Sequence, residues 1–262
     1  MSDNAPEMPP YRPGWISDFL VSANFLTRIP LNPGFLYDMS SLQTASRCFP
    51  LIGTLVGGLS GTVFLAAYFI GLPSLLGALL ALATQVLLTG ALHEDAIGDV
   101  ADGFGGGGNR ERKLEIMRDS RVGTYAVVIL ILVIGMKAAA IASFNNPFHA
   151  FAALLAAATC SRGVLVWGLY LMPAARKDGL GAGAGTPSLT TALWALLFTL
   201  AIPLVTLDPF LASIGLLGAF TGAGLMGLIA FRQIGGQTGD VLGSLQQISE
   251  LVFLLAMTAA LS

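Results

Sequence analysis

Residues 122–144 read VGTYAVVILILVIGMKAAAIASF, and Lys137 is the one charged side chain among them. A helix needs about 20 apolar residues to cross the hydrocarbon core of a bilayer. There, with no water to bond, the backbone must satisfy its own N–H and C=O groups. Six further segments have the same character: 51–70, 74–92, 148–172, 189–207, 209–231 and 241–262. The breaks between them hold Gly, Pro or clustered charge. Composition agrees with this reading. The chain is 55% hydrophobic and only 11% charged, with a mean hydropathy of +0.76, where soluble domains carry roughly 25% charge. The expected fold is all-α: a polytopic membrane helical bundle of about seven transmembrane helices, forming a single domain over residues 15–262.

The segments flanking the spans complete this outline. Residues 15–29, WISDFLVSANFLTRI, mix apolar residues with Asp18 and Arg28. They predict an amphipathic helix at the membrane interface or one that packs on the membrane domain. Residues 1–14 carry Pro6, Pro9, Pro10 and Pro13 and lack the basic start and apolar run of a signal peptide. A disordered tail is expected there. Cys48 and Cys160 lie far apart without metal-ligand spacing and read as packing residues. A net charge of −2 argues against a nucleic-acid partner. Gly53, Gly57 and Gly61 recur every fourth residue, the small-residue spacing of closely packed membrane helices, against a neighbour in the same chain or another.

Basic residues set the orientation. Arg12, Arg28 and Arg47 precede the first span. Arg110, Arg112, Lys113, Arg118 and Arg121 lie between spans two and three, Arg176 and Lys177 between four and five, and Arg232 follows span six. The connections at 71–73, 145–147 and 208 hold no Lys or Arg. By the positive-inside rule the N-terminus and all the polar loops face the cytoplasm, as expected of a bacterial inner-membrane protein.

Those loops hold the chemistry. Span two runs into HEDAIGDVADGFGGGGNRERKLEIMRDSRVGT, residues 93–124. Asp95, Asp99 and Asp102 are spaced i, i+4, i+7, which places them within about 60° of one another on a helix. Three carboxylates on one face repel unless a cation joins them. Mg²⁺ takes oxygen ligands and commonly sits between a few carboxylates and substrate phosphates. Glu94 points about 100° away and His93 falls nearly opposite. Gly103 and Gly105 to Gly108 should end the helix in a mobile loop. Arg118 and Arg121, at i, i+3, can share a face and offer forked contacts to a pyrophosphate; the positive-inside rule also accounts for them. Asp119 lies between them. ARKDGLGAGAGTP, with Arg176, Lys177 and Asp178, and RQIGGQTGD, with Arg232, Gln237, Thr238 and Asp240, face the same side. Deeper in the bilayer, Arg162 and Glu250 are expected to pair, with Lys137 as the rival partner, since ionisable groups there face the interior.

Taken together these pieces resemble the cobalamin synthase family, the adenosylcobinamide-GDP ribazoletransferases of late vitamin B12 synthesis. The resemblance spans nearly the whole chain: FLTRIPL at 25–31, Arg47 with FPLIG at 49–53, HEDAIGDVADGFGGG at 93–107, ERKLEIMRDSRVGTY at 111–125, SRG at 161–163, ARKDGLG at 175–181, and GGQTGDVLG with Glu250. The family pattern H-x-D-G-x-x-D-x-x-D-G is met except at Ala96, where Gly is usual. The resemblance implies a membrane-bound, Mg²⁺-dependent phosphotransferase. Such an enzyme joins adenosylcobinamide-GDP to α-ribazole or its 5′-phosphate and releases GMP. Asp95, Asp99 and Asp102 would hold one or two Mg²⁺ on the pyrophosphate. Arg118 and Arg121 would offset charge on the leaving GMP, and Asp102 or Asp119 would take the hydroxyl proton. Arg176, Lys177, Gln237 and Asp240 would contact substrate. Candidate protein partners are a second copy of the chain or other enzymes of the pathway. Two rivals fit less well. Membrane alcohol phosphotransferases with CDP-linked donors carry D-G-x-x-A-R after the first acids, which is absent here. An ion or solute transporter would place its acids at mid-depth and show repeats.

Overall fold

The computed structural model describes residues 9–261, and its helices follow the apolar segments closely. In chain order they are α1 (Trp15–Leu26), α2 (Leu42–Ala45), α3 (Phe49–Phe69), α4 (Ser74–Thr89), α5 (Leu92–Gly106), α6 (Arg110–Ile116), α7 (Thr124–Ala142), α8 (Pro147–Leu171), α9 (Leu180–Gly183), α10 (Leu189–Thr206), α11 (Pro209–Ile234) and α12 (Gly239–Leu261). Among the described residues there is no strand, only two isolated bridges. Six helices or helix runs are long and apolar enough to cross a membrane, and α4 with α5 is a bent pair that makes a seventh if the two count as one span. Side chains start the long helices where their first N–H groups lack partners: Asn146 accepts from Phe148 N, Ser188 from Thr191 N and Asp208 from Phe210 N.

The central helices are α8 and α12, with 78% and 72% of their apolar stretches buried against 28–39% for α7, α10 and α11. Those outer helices turn Ile131, Leu132, Val205 and Leu217 outward, where lipid is the solvent. The glycine stripe of α3 faces α8 of the same chain. A methyl group on Gly53 would stand 2.2 Å from the Ala158 carbonyl oxygen, and one on Gly57 2.6 Å from that of Leu154.

The segment 74–92 is not one continuous span. Helix α4 stops at Thr89, Gly90 and Ala91 both turn left-handed (φ 66° and 58°), and α5 leaves at 91° to α4. A break inside apolar surroundings must still bond its backbone. Here the Val86 carbonyl accepts from the N–H groups of both Gly90 and Ala91, and the Leu88 carbonyl accepts from Arg28 N at 2.6 Å. Arg28 also lies over Gly90 so closely that a Cβ there would meet its Nε at 2.3 Å. Position 90 therefore needs glycine for both its conformation and its contact.

Helix α1 packs on the membrane domain rather than presenting a solvated polar face. Asp18 is fully buried, held by Arg47 at 2.6 Å and by the Tyr11 hydroxyl at 2.5 Å, while Trp15 and Ile16 stay exposed. Of the tail expected over 1–14, residues 1–8 lie outside the described residues. The stretch 9–14 is pinned: Tyr11 N donates to the Leu36 carbonyl, and Leu36 N to that of Pro9.

One polar network crosses the interior. Glu250 on α12, 1% exposed, accepts from Arg162 Nη1 on α8 at 2.7 Å and pairs with Lys137 Nζ on α7 at 3.4 Å. Both expected partners thus share one carboxylate. Gln246 donates to Glu250 and to Ser161, Lys137 donates to Gln247 at 2.7 Å, and Gln247 donates to Glu94 on α5 at 3.0 Å.

Two outcomes follow from this packing. Gly53→Val should lower the thermal midpoint in detergent, since overpacking against backbone costs about 1–3 kcal/mol. Gly58→Ala, whose new methyl meets nothing closer than 3.9 Å, should leave it unchanged. Glu250→Ala strands two buried cations, a loss of roughly 3–5 kcal/mol, whereas Arg162→Ala leaves Glu250 with Lys137 and should be milder. A double-mutant cycle should show coupling between positions 162 and 250, and strictly additive effects would contradict the pairing.

Candidate active site

Helix α5 carries the acidic face and is fixed along both sides. Gly243 and Ser244 of α12 pack against Ala96; a Cβ on Gly243 would stand 2.4 Å from the Ala96 methyl, and Ser244 Oγ donates to the Ala96 carbonyl at 3.3 Å. Ala126 of α7 lies 3.3 Å from where a Gly98 Cβ would be. His93 and Glu94 are turned into the interior, so Asp95, Asp99 and Asp102 climb the opposite side of the helix. The spacing in the sequence thus becomes a real helical face.

The three aspartates differ in their surroundings. Asp102 accepts from Gly123 N at 2.6 Å and Ala126 N at 3.0 Å, so both its oxygens hold the N-terminus of α7. That is a favourable place for a carboxylate, since a helix start presents unpaired donors. Asp95 and Asp99 have no hydrogen-bond or ion-pair partner among the described residues. The charges of Asp95, Asp240 and Asp102 all act on Asp99, opposed by Arg176.

Asp240 joins this group from α12, brought there by two loops that zip together. Ala175 N donates to the Gln237 carbonyl and Gln237 N to that of Pro173, both at 2.8 Å. A Cβ on Gly236 would collide with the Pro173 oxygen at 2.1 Å. The clasp sets Arg176 against Asp240, Nη2 to Oδ2 3.4 Å, with Thr238 Oγ1 donating to the same oxygen at 3.2 Å. Arg176 Nη1 and Gln237 Oε1 are buried without partners. Lys177 is exposed. Arg110 ties the clasp to α6, its Nε donating to the Ile234 carbonyl at 2.9 Å and its Nη2 to that of Ala175 at 2.5 Å.

Arg118, Asp119 and Arg121 lie on the exposed turn after α6. Arg118 pairs with Asp178 at 2.6 Å. Asp119 and Arg121 grip each other at 2.5 Å. Hydrogen bonding from Arg121 holds the Asp119 carboxyl down at about 2.

Two cavities meet at Asp95. One, of about 110 Å³, runs inward between Phe25, Phe49, Leu165, Leu169 and Ala184, with His93 and Asp240 in its wall. The other, of about 490 Å³, opens over the α4–α5 break between Asn24, Arg28, Tyr37, Asp38 and Thr89. Sequence patterning did not single out Arg28 or the walls from α1 and residues 37–39 as site residues. The motif FLTRIPL was the signal available, and it carries no spacing that points to α5.

The donor set suits a hard cation, although among the described residues no three His, Cys, Asp or Glu side chains form a preassembled cage. Mg²⁺ does not demand one, because it keeps waters and binds through one or two carboxylates plus substrate phosphates. The unclaimed oxygens of Asp99 and the remaining lone pairs of Asp102, in a group of like charges that a cation would relieve, fit that mode.

Comparison with known proteins places the chain in a family. The family model for cobalamin-5-phosphate synthase matches residues 18–258. An adenosylcobinamide-GDP ribazoletransferase of Bradyrhizobium diazoefficiens is 43% identical, covering 93% of this chain and 94% of its own length. The protein of that name from Mesorhizobium japonicum is also 43% identical, over 94% and 95%. That of Allorhizobium ampelinum is 36% identical, over 94% and 98%. No solved structure matches the chain. By this match over residues 18–258, the chain belongs to the cobalamin-5-phosphate synthase family.

Proposed function

We propose that this protein is an adenosylcobinamide-GDP ribazoletransferase: it joins adenosylcobinamide-GDP to α-ribazole or its 5′-phosphate, releases GMP and forms adenosylcobalamin or its 5′-phosphate. The observation that carries the reading is the unpartnered pair Asp95 and Asp99: Asp95 lines both cavities, Asp240 lines the inner one, and Arg176 pairs with Asp240. Near-full-length identity with relatives of that name supports the substrates. In the reaction an α-ribazole hydroxyl oxygen forms a bond to the cobinamide-linked phosphorus. The bond from that phosphorus to the bridging oxygen breaks, and GMP departs with the electron pair. Such transfers ask the protein for positioning and charge neutralisation more than covalent chemistry.

The roles divide by surroundings. Mg²⁺ would be held by Asp99 and by the remaining lone pairs of Asp102, and when bound would neutralise charge on the pyrophosphate. Asp95 lines both cavities and its oxygens are unclaimed, so it is placed to accept the hydroxyl proton. Asp119, held at about 2 by Arg121, is too weak a proton acceptor at neutral pH, and Asp102 already accepts two N–H groups. Arg176 orients Asp240 and, with the exposed Lys177, Arg118 and Arg121 nearby in sequence or across the clasp, supplies positive charge for the departing nucleotide. The distribution of Lys and Arg supports a bacterial inner-membrane location with this face in the cytoplasm.

GMP release in membranes supplied with adenosylcobinamide-GDP, α-ribazole 5′-phosphate and Mg²⁺ tests the reading. Wild type should release GMP only when all three are present. Asp95→Asn should lower kcat by about 10²–10⁴-fold, the usual worth of a general base, without changing the Mg²⁺ concentration for half-maximal rate. Asp99→Asn should raise that concentration. No GMP from folded wild type would overturn the assignment.

A further inference from the structure

We propose that the narrow cleft leading inward from Asp95 is the binding site for the flat aromatic base of the acceptor nucleoside, with His93 as its one polar contact. This rests on the transferase reading, because α-ribazole is the substrate that carries such a base: an uncharged, bicyclic benzimidazole. The walls argue for it. Phe25 and Phe49 stack at 5.9 Å with an interplanar angle of 11°, and Leu26, Leu92, Leu165 and Leu169 complete an apolar slot. Flat aromatic bodies gain most from such surfaces.

The other two bulky groups of the reaction fit poorly. Guanine presents several donors and acceptors, and burying them without partners is unfavourable. A corrin ring is far larger than a cleft of about 110 Å³. A benzimidazole joined to its sugar has one remaining polar ring atom, an acceptor nitrogen. The wall holds one matching anomaly: His93 is 2% exposed, yet its Nε2 has no hydrogen-bond partner. Buried polar atoms in folded proteins are nearly always paired, so an exception calls for an explanation. A base nitrogen supplies one once the imidazole turns its covered Nε2 toward the cleft that His93 lines. The ribose would then lie toward Asp95, at the cleft mouth where the second cavity joins.

Binding of α-ribazole to the full-length protein in lipid nanodiscs, measured by equilibrium dialysis, tests this directly, with GMP release run in parallel. Ala184→Leu, which fills the slot, should weaken α-ribazole binding by at least about tenfold and leave the KM for adenosylcobinamide-GDP within about twofold. His93→Leu should also weaken α-ribazole binding by about tenfold while leaving the thermal midpoint of the free protein unchanged, because the atom it removes has no partner to strand. Leu165→Ala, which widens the slot, should shift preference toward nucleosides with larger benzo-fused imidazoles and serves as the check should the filling variant misfold. Wild-type affinity for α-ribazole in both Ala184→Leu and His93→Leu, or no α-ribazole binding by wild type, overturns the proposal. Weakened binding in the variants with no GMP release from wild type would keep the cleft and remove the transferase reading instead.

Discussion

A carboxylate deep among apolar helices persists only where charge and donors surround it, and Glu250 has two cations and two amide or hydroxyl groups around it. The cluster draws Lys137 of α7, Arg162 of α8 and the first half of α12 to one point. Its consequence for the site runs through Gln247, which accepts from Lys137 and donates to Glu94. Glu94 immediately precedes Asp95, so the rotation of α5 is set from below by the ion cluster. It is set from above by the grip of Asp102 on the start of α7. With both ends fixed, the Asp95–Asp99 face has one orientation, toward Asp240 and the clasped loops.

The break between α4 and α5 is the second constraint. An unbroken helix through residues 74–106 would carry the carboxylates straight on from α4. The left-handed pair at Gly90 and Ala91 turns α5 by 91°, and Arg28 closes over the turn. The larger cavity lies over that turn, roofed by α1 and the segment after it. Its polar wall therefore exists because the helix is interrupted there. The buried Asp18–Arg47 pair holds α1 where it can serve as the roof.

Much of this was legible in the sequence for physical reasons. Long apolar runs have one solution in lipid, so the helices at 122–144 and 148–172 appear within two residues of where hydropathy places them. The i, i+4, i+7 acids lie on one helical face because the period of a helix is fixed. Arg162 and Glu250 were bound to seek partners at their depth; that Lys137 shares the same carboxylate needed the fold, since sequence spacing says nothing about which of two cations is nearer. Gly53, Gly57 and Gly61 announced a close contact but not its partner, which is α8. The turn at Gly90 was hidden within an apolar run, where a lone glycine signals little. Asp240 likewise read as a loop residue. Only the clasp between residues 173–175 and 235–238 brings it to Asp95 and Asp99.

The gradient along α5 gives the site its logic. Its first turn, with His93 buried and Glu94 half-buried, lies beside the ion cluster, and its last, at Gly105 and Gly106, is exposed. The carboxylates sit between, spread over roughly 10 Å of helix at 1.5 Å per residue. A reaction that brings an apolar base to a highly charged pyrophosphate needs both environments within the width of one ribose. A soluble cleft must build its dry side from a core of its own. Here the bundle already provides it, and a single helix leads from the dry side to the wet one. Asp95 stands at the crossing, with apolar slot on one side and open polar cavity on the other. That position suits the residue that takes the proton as the acceptor oxygen reaches phosphorus.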